Sequence, residues 1–305
     1  MIRLRRRSDG LPVLWIEAVM IIGFYYTYTA TRAVADGSER DALAVGWDLL
    51  RIQADLHLNV EGGLNHWLQG IPVLAVASCY YYATLHFIVT PAILVWLYRK
   101  RPGHYLRARW TILCATVISL VGFILLPTAP PRLLPGAGFV DTMASFHDWG
   151  WWGGGTSAAP RGLAGLANQF AAMPSLHCAW ALWSGWCVAR FARRRWVRTL
   201  AVIYPGTTAF VVMATANHYV LDVVAGWMVL GLGALLAAVV IRVAHRRGCR
   251  DGLVDPVDQR VEPQRVESER VEPQARPAAI VGAAAAHPPA STDVHRIRHG
   301  PTRCM

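Results

Sequence analysis

The chain has 305 residues, of which 54% are hydrophobic and 16% are charged, and its formal net charge is +11. A large soluble domain and an integral membrane protein are both compatible with this composition, and the length of the apolar runs excludes the first. The charge does not indicate a nucleic-acid partner, because the basic residues cluster in alternate loops between the apolar runs.

Six apolar runs approach or exceed the roughly 20 residues that a helix needs to cross a membrane. They cover residues 11–30, 71–98, 110–126, 170–189, 200–216 and 220–243. The first run is too long for a signal-peptide core, and we interpret it as an uncleaved span. The fifth is short and contains Pro205. These runs predict an all-α, polytopic membrane protein whose six transmembrane helices form a bundle.

The segment between the first two spans, residues 41–69, is too polar to cross the bilayer. It nevertheless carries many leucines together with Trp47 and Trp67. This pattern predicts one or two amphipathic helices on the outer surface, packed over the bundle.

Arginine-rich loops precede the first span, separate spans two and three, separate spans four and five, and follow the sixth. By the positive-inside rule, both termini are cytoplasmic and the other loops face outward. The arginine-rich and alanine-rich composition is typical of a GC-rich genome and favours a bacterial plasma membrane as the location of this multi-pass protein.

The composition changes near Gly248, where the chain becomes charged and rich in proline and alanine. We therefore predict a membrane-embedded catalytic domain over residues 1–247 and a disordered cytoplasmic tail over residues 248–305. A helix formed on binding is the alternative for the tail. The six cysteines suggest neither a disulfide framework nor a metal cluster.

The outer loop after the third span is rich in proline and then in glycine. Pro127, Pro130, Pro131 and Pro135 make it stiff, and Trp149, Trp151 and Trp152 lie among the glycines. Such a loop is suited to a lipid headgroup, and an interfacial aromatic belt explains the tryptophans equally well.

Two histidines and a carboxylate lie where spans begin, and ionisable groups there are costly unless they are functional. His177 begins the fourth span, and His218 and Asp222 begin the sixth, so the predicted topology brings them to the same outer face. Residues four apart share a helix face, so Asp222 can accept a hydrogen bond from one nitrogen of His218. The other nitrogen is then free to act as a base or a nucleophile, with His177 as general acid.

Other residues complete the predicted site. Arg132 is the best-placed cation to hold an anionic substrate, with Arg161 second, and Ser175 suits a phosphate hydrogen-bond donor. Asp141 and Asp148 either bind a polyol acceptor or only solvate the loop. His66 and His86 lie outside these motifs and are interpreted as interface residues.

These residues resemble the type 2 phosphatidic acid phosphatase superfamily, and within it the inositol phosphorylceramide synthase-like branch of lipid phosphotransferases. Three stretches carry the resemblance: PTAPPR at 127–132, NQFAAMPSLH at 168–177 and HYVLDVVAG at 218–226. With the six-span layout, the resemblance covers roughly residues 10 to 245.

The resemblance implies that His218 is a nucleophile that forms a phosphohistidine, that Asp222 orients it, and that His177 protonates the departing oxygen. His177 would then deprotonate the acceptor, which is water in a phosphatase and an inositol-like or sugar-like alcohol in a transferase. The implied partners are a lipid phosphate and the bilayer, and neither a metal nor a cofactor is implied.

The chain departs from the classical pattern of the superfamily. The Lys-x6-Arg-Pro element is missing, Val211 and Val212 stand where Ser-Arg is usual, and the histidine motif reads Pro-Ser-Leu-His instead of Pro-Ser-Gly-His. Two phosphate-clamping arginines are therefore absent. This favours the transferase branch over a plain lipid-phosphate or polyprenyl-phosphate phosphatase, which stays the alternative, and it assigns phosphate binding to Arg132.

Two more remote classes are an intramembrane serine hydrolase that uses Ser175 with His218, and a transporter or non-catalytic lipid-binding scaffold. A Gly-x-Ser-x-Gly element is not recognisable near Ser175, and inverted repeats are not recognisable along the chain.

Overall fold

A computed structural model describes residues 39–152 and 169–252, together with the helical positions Trp15, Val19 and Gly23. Within these residues the regular structure is helical, and β-pairing is limited to one isolated bridge. The α-helices of the two ranges are α1 (Glu39–Asp55), α2 (Glu61–Gln69), α3 (Pro72–Lys100), α4 (Pro102–Leu125), α5 (Thr142–Ser145), α6 (Leu176–Phe191), α7 (Arg195–Ala214) and α8 (Val220–Gly252).

Four of the described helices are long and apolar enough to cross a membrane, namely α3, α4, α7 and residues Val220–Ala244 of α8. They correspond to the second, third, fifth and sixth predicted spans. The predicted fifth span is longer than its apolar run, because α7 begins at Arg195 and continues through Pro205. A proline is tolerated inside a membrane helix where neighbouring groups satisfy the freed carbonyl.

The fourth predicted span, residues 170–189, forms a shorter helix than the apolar run suggests. α6 has 16 residues and begins only at Leu176. Pro174 disfavours a helical conformation at the residue before it. The preceding segment instead pairs with the proline-rich loop, where the amide of Thr128 donates to Phe170 O (2.7 Å) and the amide of Ala172 donates to Thr128 O (3.2 Å). Apart from its three described positions, the first predicted span lies outside the described residues.

α1 and α2 form in the segment where amphipathic helices were predicted, and both pack against the bundle. Ala42 and Leu49 of α1 share a buried cluster with Ala129 and Tyr219, while Leu68 of α2 packs with residues of α3 and α7. Their place on the outer membrane surface stays a prediction.

The bundle has two chemically different ends. α4 and α7 finish, and α6 and α8 begin, at one end, which we call the site end. At the other end, Arg101 donates to Phe191 O (3.3 Å) and Arg198 donates to Ala189 O (2.9 Å). Both arginines thereby bind carbonyls in the last turn of α6, where a helix favours cations.

Chain contacts separate two compact units, residues 1–242 and 243–305. The described part of the second unit is the final stretch of α8, which continues to Gly252 and thus past the predicted boundary at residue 247. The predicted tail beyond Gly252 lies outside the described residues and stays a prediction.

Candidate active site

His218 and Asp222 form a buried pair at the start of α8. The side chain of His218 is 5% exposed and that of Asp222 is fully buried, with 3.2 Å between Nδ1 and Oδ2. The same oxygen of Asp222 accepts the amide of Tyr219 at 2.9 Å. One oxygen of Asp222 therefore both accepts an amide at the N-terminus of its own helix and contacts the imidazole of His218.

The surroundings of Nδ1 indicate which nitrogen of His218 carries the proton. Nδ1 also lies 2.9 Å from the backbone carbonyl of Ala172. A carbonyl oxygen and a carboxylate oxygen only accept hydrogen bonds, so two acceptors facing Nδ1 require a proton there. In the neutral ring, the lone pair then resides on Nε2.

His177 lies beside this pair. Its ring centroid is 5.8 Å from that of His218 and 4.4 Å from that of Tyr82, on which it stacks. His86 also contacts the ring of His177, edge to face, with 4.2 Å between ring centroids. The interpretation of His86 as an interface residue is wrong, because it is buried against His177. Its position deep in an apolar span could have signalled this contact.

The starts of α6 and α8 cross at very short range. The amide of Ser175 donates to Asp222 O at 3.0 Å, and a Cβ built on Gly226 would collide with the carbonyl of Ser175. The fully buried Ser175 also caps α6, because its hydroxyl oxygen accepts the amide of Cys178 at 3.4 Å. This crossing holds His177 and His218 next to each other.

Arg132 is fixed by the junction between α7 and α8. Its Nε donates to Asn217 Oδ1 (2.9 Å), its Nη1 donates to Asp141 Oδ2 (3.3 Å), and its amide donates to Ala216 O (3.0 Å). Asn217 immediately precedes His218, so the guanidinium is anchored beside the histidine pair. These side-chain contacts involve two of the five N–H donors of an arginine, so the group can still bind an anion.

The other predicted polar residues have different surroundings. Both carboxylate oxygens of Asp141 have protein partners, since Oδ1 caps α5 by accepting the amide of Ala144 at 3.0 Å. Asp148 is largely exposed and lies 3.2 Å from His147. Arg161 lies outside the described residues.

The junction between α7 and α8 also shows what occupies the positions of the missing arginine motif. Val211 and Val212 are buried. The carbonyl of Val212 accepts the amides of Asn217 (3.0 Å) and His218 (3.1 Å). Ala216, with φ of 55°, makes the tight turn between these contacts. Here the backbone carbonyl of Val212, rather than a phosphate-binding side chain, contacts the residues that lead into α8.

α1 and α2 contribute two polar residues that the sequence did not indicate, Gln53 and Glu61. Both are fully buried, and Gln53 Nε2 donates to Glu61 Oε1. Gln53 Oε1 accepts the amide of Leu221 at 2.9 Å. Burial raises the pKa of the Glu61 carboxyl above its ordinary value, and the nearby charge of Asp222 contributes in the same direction.

The tryptophans of the outer loop divide into two kinds. Trp152 is buried and contacts the ring of Tyr80 on α3, with 4.9 Å between centroids, whereas Trp149 is 66% exposed. Trp152 is therefore a packing residue.

Among the described residues, His, Cys, Asp and Glu do not gather into a group of three that could hold a metal ion. The site instead combines a buried His–Asp pair, a second histidine and an anchored arginine at one end of an apolar helical bundle.

An apolar helical bundle with such a site defines a class of membrane proteins equipped for acid–base or nucleophilic chemistry by histidine. A sequence model of the PAP2 superfamily matches residues 47–236, and the chain belongs to this family. Membership supports a lipid phosphatase or phosphotransferase kind of function and a lipid phosphate in the bilayer as substrate. Neither a curated protein nor a solved structure matches the chain significantly.

Proposed function

We propose that this protein is a lipid phosphotransferase or phosphatase that works through a phosphohistidine on His218 at the extracytoplasmic face of a plasma membrane. The observation that carries the proposal is the pair of acceptors around Nδ1, Ala172 O and Asp222 Oδ2. They leave the lone pair on Nε2, which is what a nucleophilic histidine requires.

The reaction has two halves. In the first, Nε2 of His218 attacks phosphorus, the bond from phosphorus to the lipid oxygen breaks, and His177 donates a proton to the departing oxygen. In the second, an acceptor transfers a proton to His177 and attacks phosphorus, and the bond from phosphorus to Nε2 breaks. Arg132 holds the phosphate through its remaining donors.

The acceptor decides whether the enzyme is a transferase or a phosphatase. We favour an inositol-like or sugar-like alcohol as the acceptor and, with it, the inositol phosphorylceramide synthase-like branch. The buried valines at positions 211 and 212 support this choice, because the phosphate-clamping arginine of the classical phosphatases is absent there. Asp148 is exposed in the loop between α4 and α6, where its carboxylate is available to bind a hydroxyl of the alcohol. Water as acceptor, in a plain lipid-phosphate phosphatase, is the alternative.

The surroundings of Ser175 argue against a serine hydrolase. Its side chain is fully buried, and its oxygen caps α6. A serine nucleophile needs its oxygen accessible to substrate and within reach of a base.

A labelling experiment tests the proposal. Purified protein is mixed with ³²P-phosphatidic acid in detergent micelles, quenched and digested. Acid-labile label on the peptide that contains His218, lost in H218A and kept in S175A, is the expected result. Label on Ser175, or label that survives in H218A, would contradict the proposal. Mass spectrometry of the lipids that accumulate in cells carrying H218A then identifies the natural donor, and addition of inositol to the assay distinguishes transfer from hydrolysis.

A further inference from the structure

Gln53 occupies an unusual position for a residue of a peripheral helix. It is fully buried, and its carboxamide reaches across to the first turn of α8, where its oxygen accepts the amide of Leu221 at 2.9 Å. This amide is one of the N-terminal donors that a helix cannot satisfy internally. Gln53 thus caps α8 from another helix, 168 residues away in the sequence.

Glu61 fixes the orientation of that carboxamide. Its Oε1 accepts from Gln53 Nε2, so the amide nitrogen points to α2 and the amide oxygen points to α8. The hydrogen bond to Glu61 restricts the Gln53 side chain to fewer conformations than the bond to Leu221 alone would. α1 and α2 therefore act together, and we call Gln53 and Glu61 the carboxamide clamp.

The clamp holds the turn that carries the proposed chemistry. Leu221 directly precedes Asp222, whose Oδ2 contacts both His218 Nδ1 and the amide of Tyr219. α1 also packs closely on this turn at Gly46, where an added Cβ would lie 2.9 Å from the hydroxyl of Tyr219. A displaced α1 would release the Leu221 amide and change the distance from Asp222 to His218.

We infer that Gln53, oriented by Glu61, is a positioning residue for the proposed phosphotransfer, and that it acts by holding the first turn of α8 so that Asp222 stays against His218. The inference rests on the proposed function. It assigns α1 and α2 a role in catalysis beyond covering the bundle. Positioning of this kind changes turnover more than substrate binding, since Gln53 touches neither the lipid nor its phosphate in this scheme.

The test combines two readouts on the full chain in detergent: hydrogen exchange at the Leu221 amide, followed by mass spectrometry, and turnover of a fluorescent phosphatidic acid. In Q53A we expect about tenfold faster exchange at Leu221 and about a tenfold lower kcat with an unchanged KM, as befits the loss of one buried hydrogen bond. R51A is the matched control, because Arg51 lies on the exposed face of α1 and its side chain contacts exposed Asp48 and the carbonyl of Trp47 within the same helix. It should behave as the wild type.

A chemical exchange separates positioning from simple loss of packing. Gln53→Glu alone puts two acidic side chains together and should lose activity. The double variant Q53E/E61Q again has one carboxylate and one carboxamide, which can form both hydrogen bonds. We expect it to regain activity. If Q53A does not fold, the comparison of Q53E with Q53E/E61Q tests the inference instead.

Wild-type kcat in Q53A, or no recovery in the exchanged pair, would overturn the inference. Faster exchange without a change in kcat would also overturn it, because the cap would then be structural only. Failure of the proposed function is recognised separately, by absence of label on His218 in the wild type, and exchange at Leu221 would still show whether Gln53 holds α8.

Discussion

Arg132 and Asp141 form a largely buried ion pair, with 3.3 Å between Nη1 and Oδ2 and with 8% and 15% of the two side chains exposed. Asp141 also caps α5, and Arg132 also binds Asn217. The pair therefore links the proline-rich loop, α5 and the residue before His218. The pair orients the guanidinium, and an oriented group would bind the proposed phosphate at a lower entropic cost.

The first prediction separates the two partners of this pair. R132A should lower turnover about a hundredfold, as expected when a donor to developing charge is removed. D141N should lose less activity than R132A, because asparagine is also a good N-cap and Arg132 is still held by Asn217 when its contact with position 141 is lost. Turnover of fluorescent phosphatidic acid, with melting temperature as the control for folding, measures both. Equal losses in the two variants would show that the pair is structural and that Arg132 does not hold phosphate.

The second prediction concerns the two acceptors around His218. Where an aspartate alone fixes the tautomer of a histidine, its replacement by asparagine costs about 10⁴-fold in kcat. Here the carbonyl of Ala172, at 2.9 Å, holds the Nδ1 proton independently of Asp222. We therefore expect D222N to lower kcat only about 10²-fold. The loss is smaller than 10⁴-fold because the carbonyl of Ala172 still holds the Nδ1 proton. H218A should have no measurable activity.

Single-turnover kinetics of label transfer to His218 checks this expectation. A 10⁴-fold loss in D222N would show that the charge of Asp222, rather than the tautomer, limits the reaction.

The third prediction uses two glycines of α8. An added Cβ on Gly226 collides with the backbone of Ser175, and backbone cannot move aside as a flexible side chain can. G226A should destabilise the protein by about 1–3 kcal/mol, the usual cost of overpacking, and should separate His177 from His218. Gly231 faces open space in the same helix, so G231A is the matched control and should be neutral or stabilising. The melting temperature and turnover of G226A and G231A are compared. Equal values for the two variants would show that the crossing of α6 and α8 accommodates an added methyl group.

The structure also explains why some of these features could be predicted from the sequence. α3, α4, α7 and α8 arise from apolar runs that have few alternatives to a helix in lipid. His218 and Asp222 are four residues apart on one helix, so local spacing was enough to pair them. Gln53 and Leu221, or Arg132 and Asn217, meet only through tertiary packing, and no local pattern encodes such contacts. The contact between His86 and His177 also joins two helices, although the position of His86 deep in an apolar span could have signalled a polar partner.

The fourth prediction tests the orientation of the bundle. Asp148→Cys places a thiol at an exposed position in the loop between α4 and α6, and Arg194→Cys places one in the exposed connection between α6 and α7. The described native cysteines are all buried, and Cys249 and Cys304 would be replaced by serine. If the site is extracytoplasmic, a membrane-impermeant maleimide labels only the Asp148→Cys protein in intact cells and labels both after permeabilisation. Labelling of Arg194→Cys alone in intact cells would reverse the topology.

The fifth prediction follows from the raised pKa of Glu61. Between the ordinary glutamate pKa of about 4.3 and the raised pKa of the folded state, the unfolded chain binds fewer protons at this residue than the folded chain. The contribution of Glu61 to stability is therefore fully present at acidic pH and is lost as the pH rises through the raised pKa. Glu61→Gln removes this titration and keeps an oxygen that can accept from Gln53. Melting temperatures of wild type and E61Q, measured in detergent from pH 4 upward, should consequently diverge in favour of the variant as the pH rises. Parallel curves would show that Glu61 keeps an ordinary pKa in the folded protein.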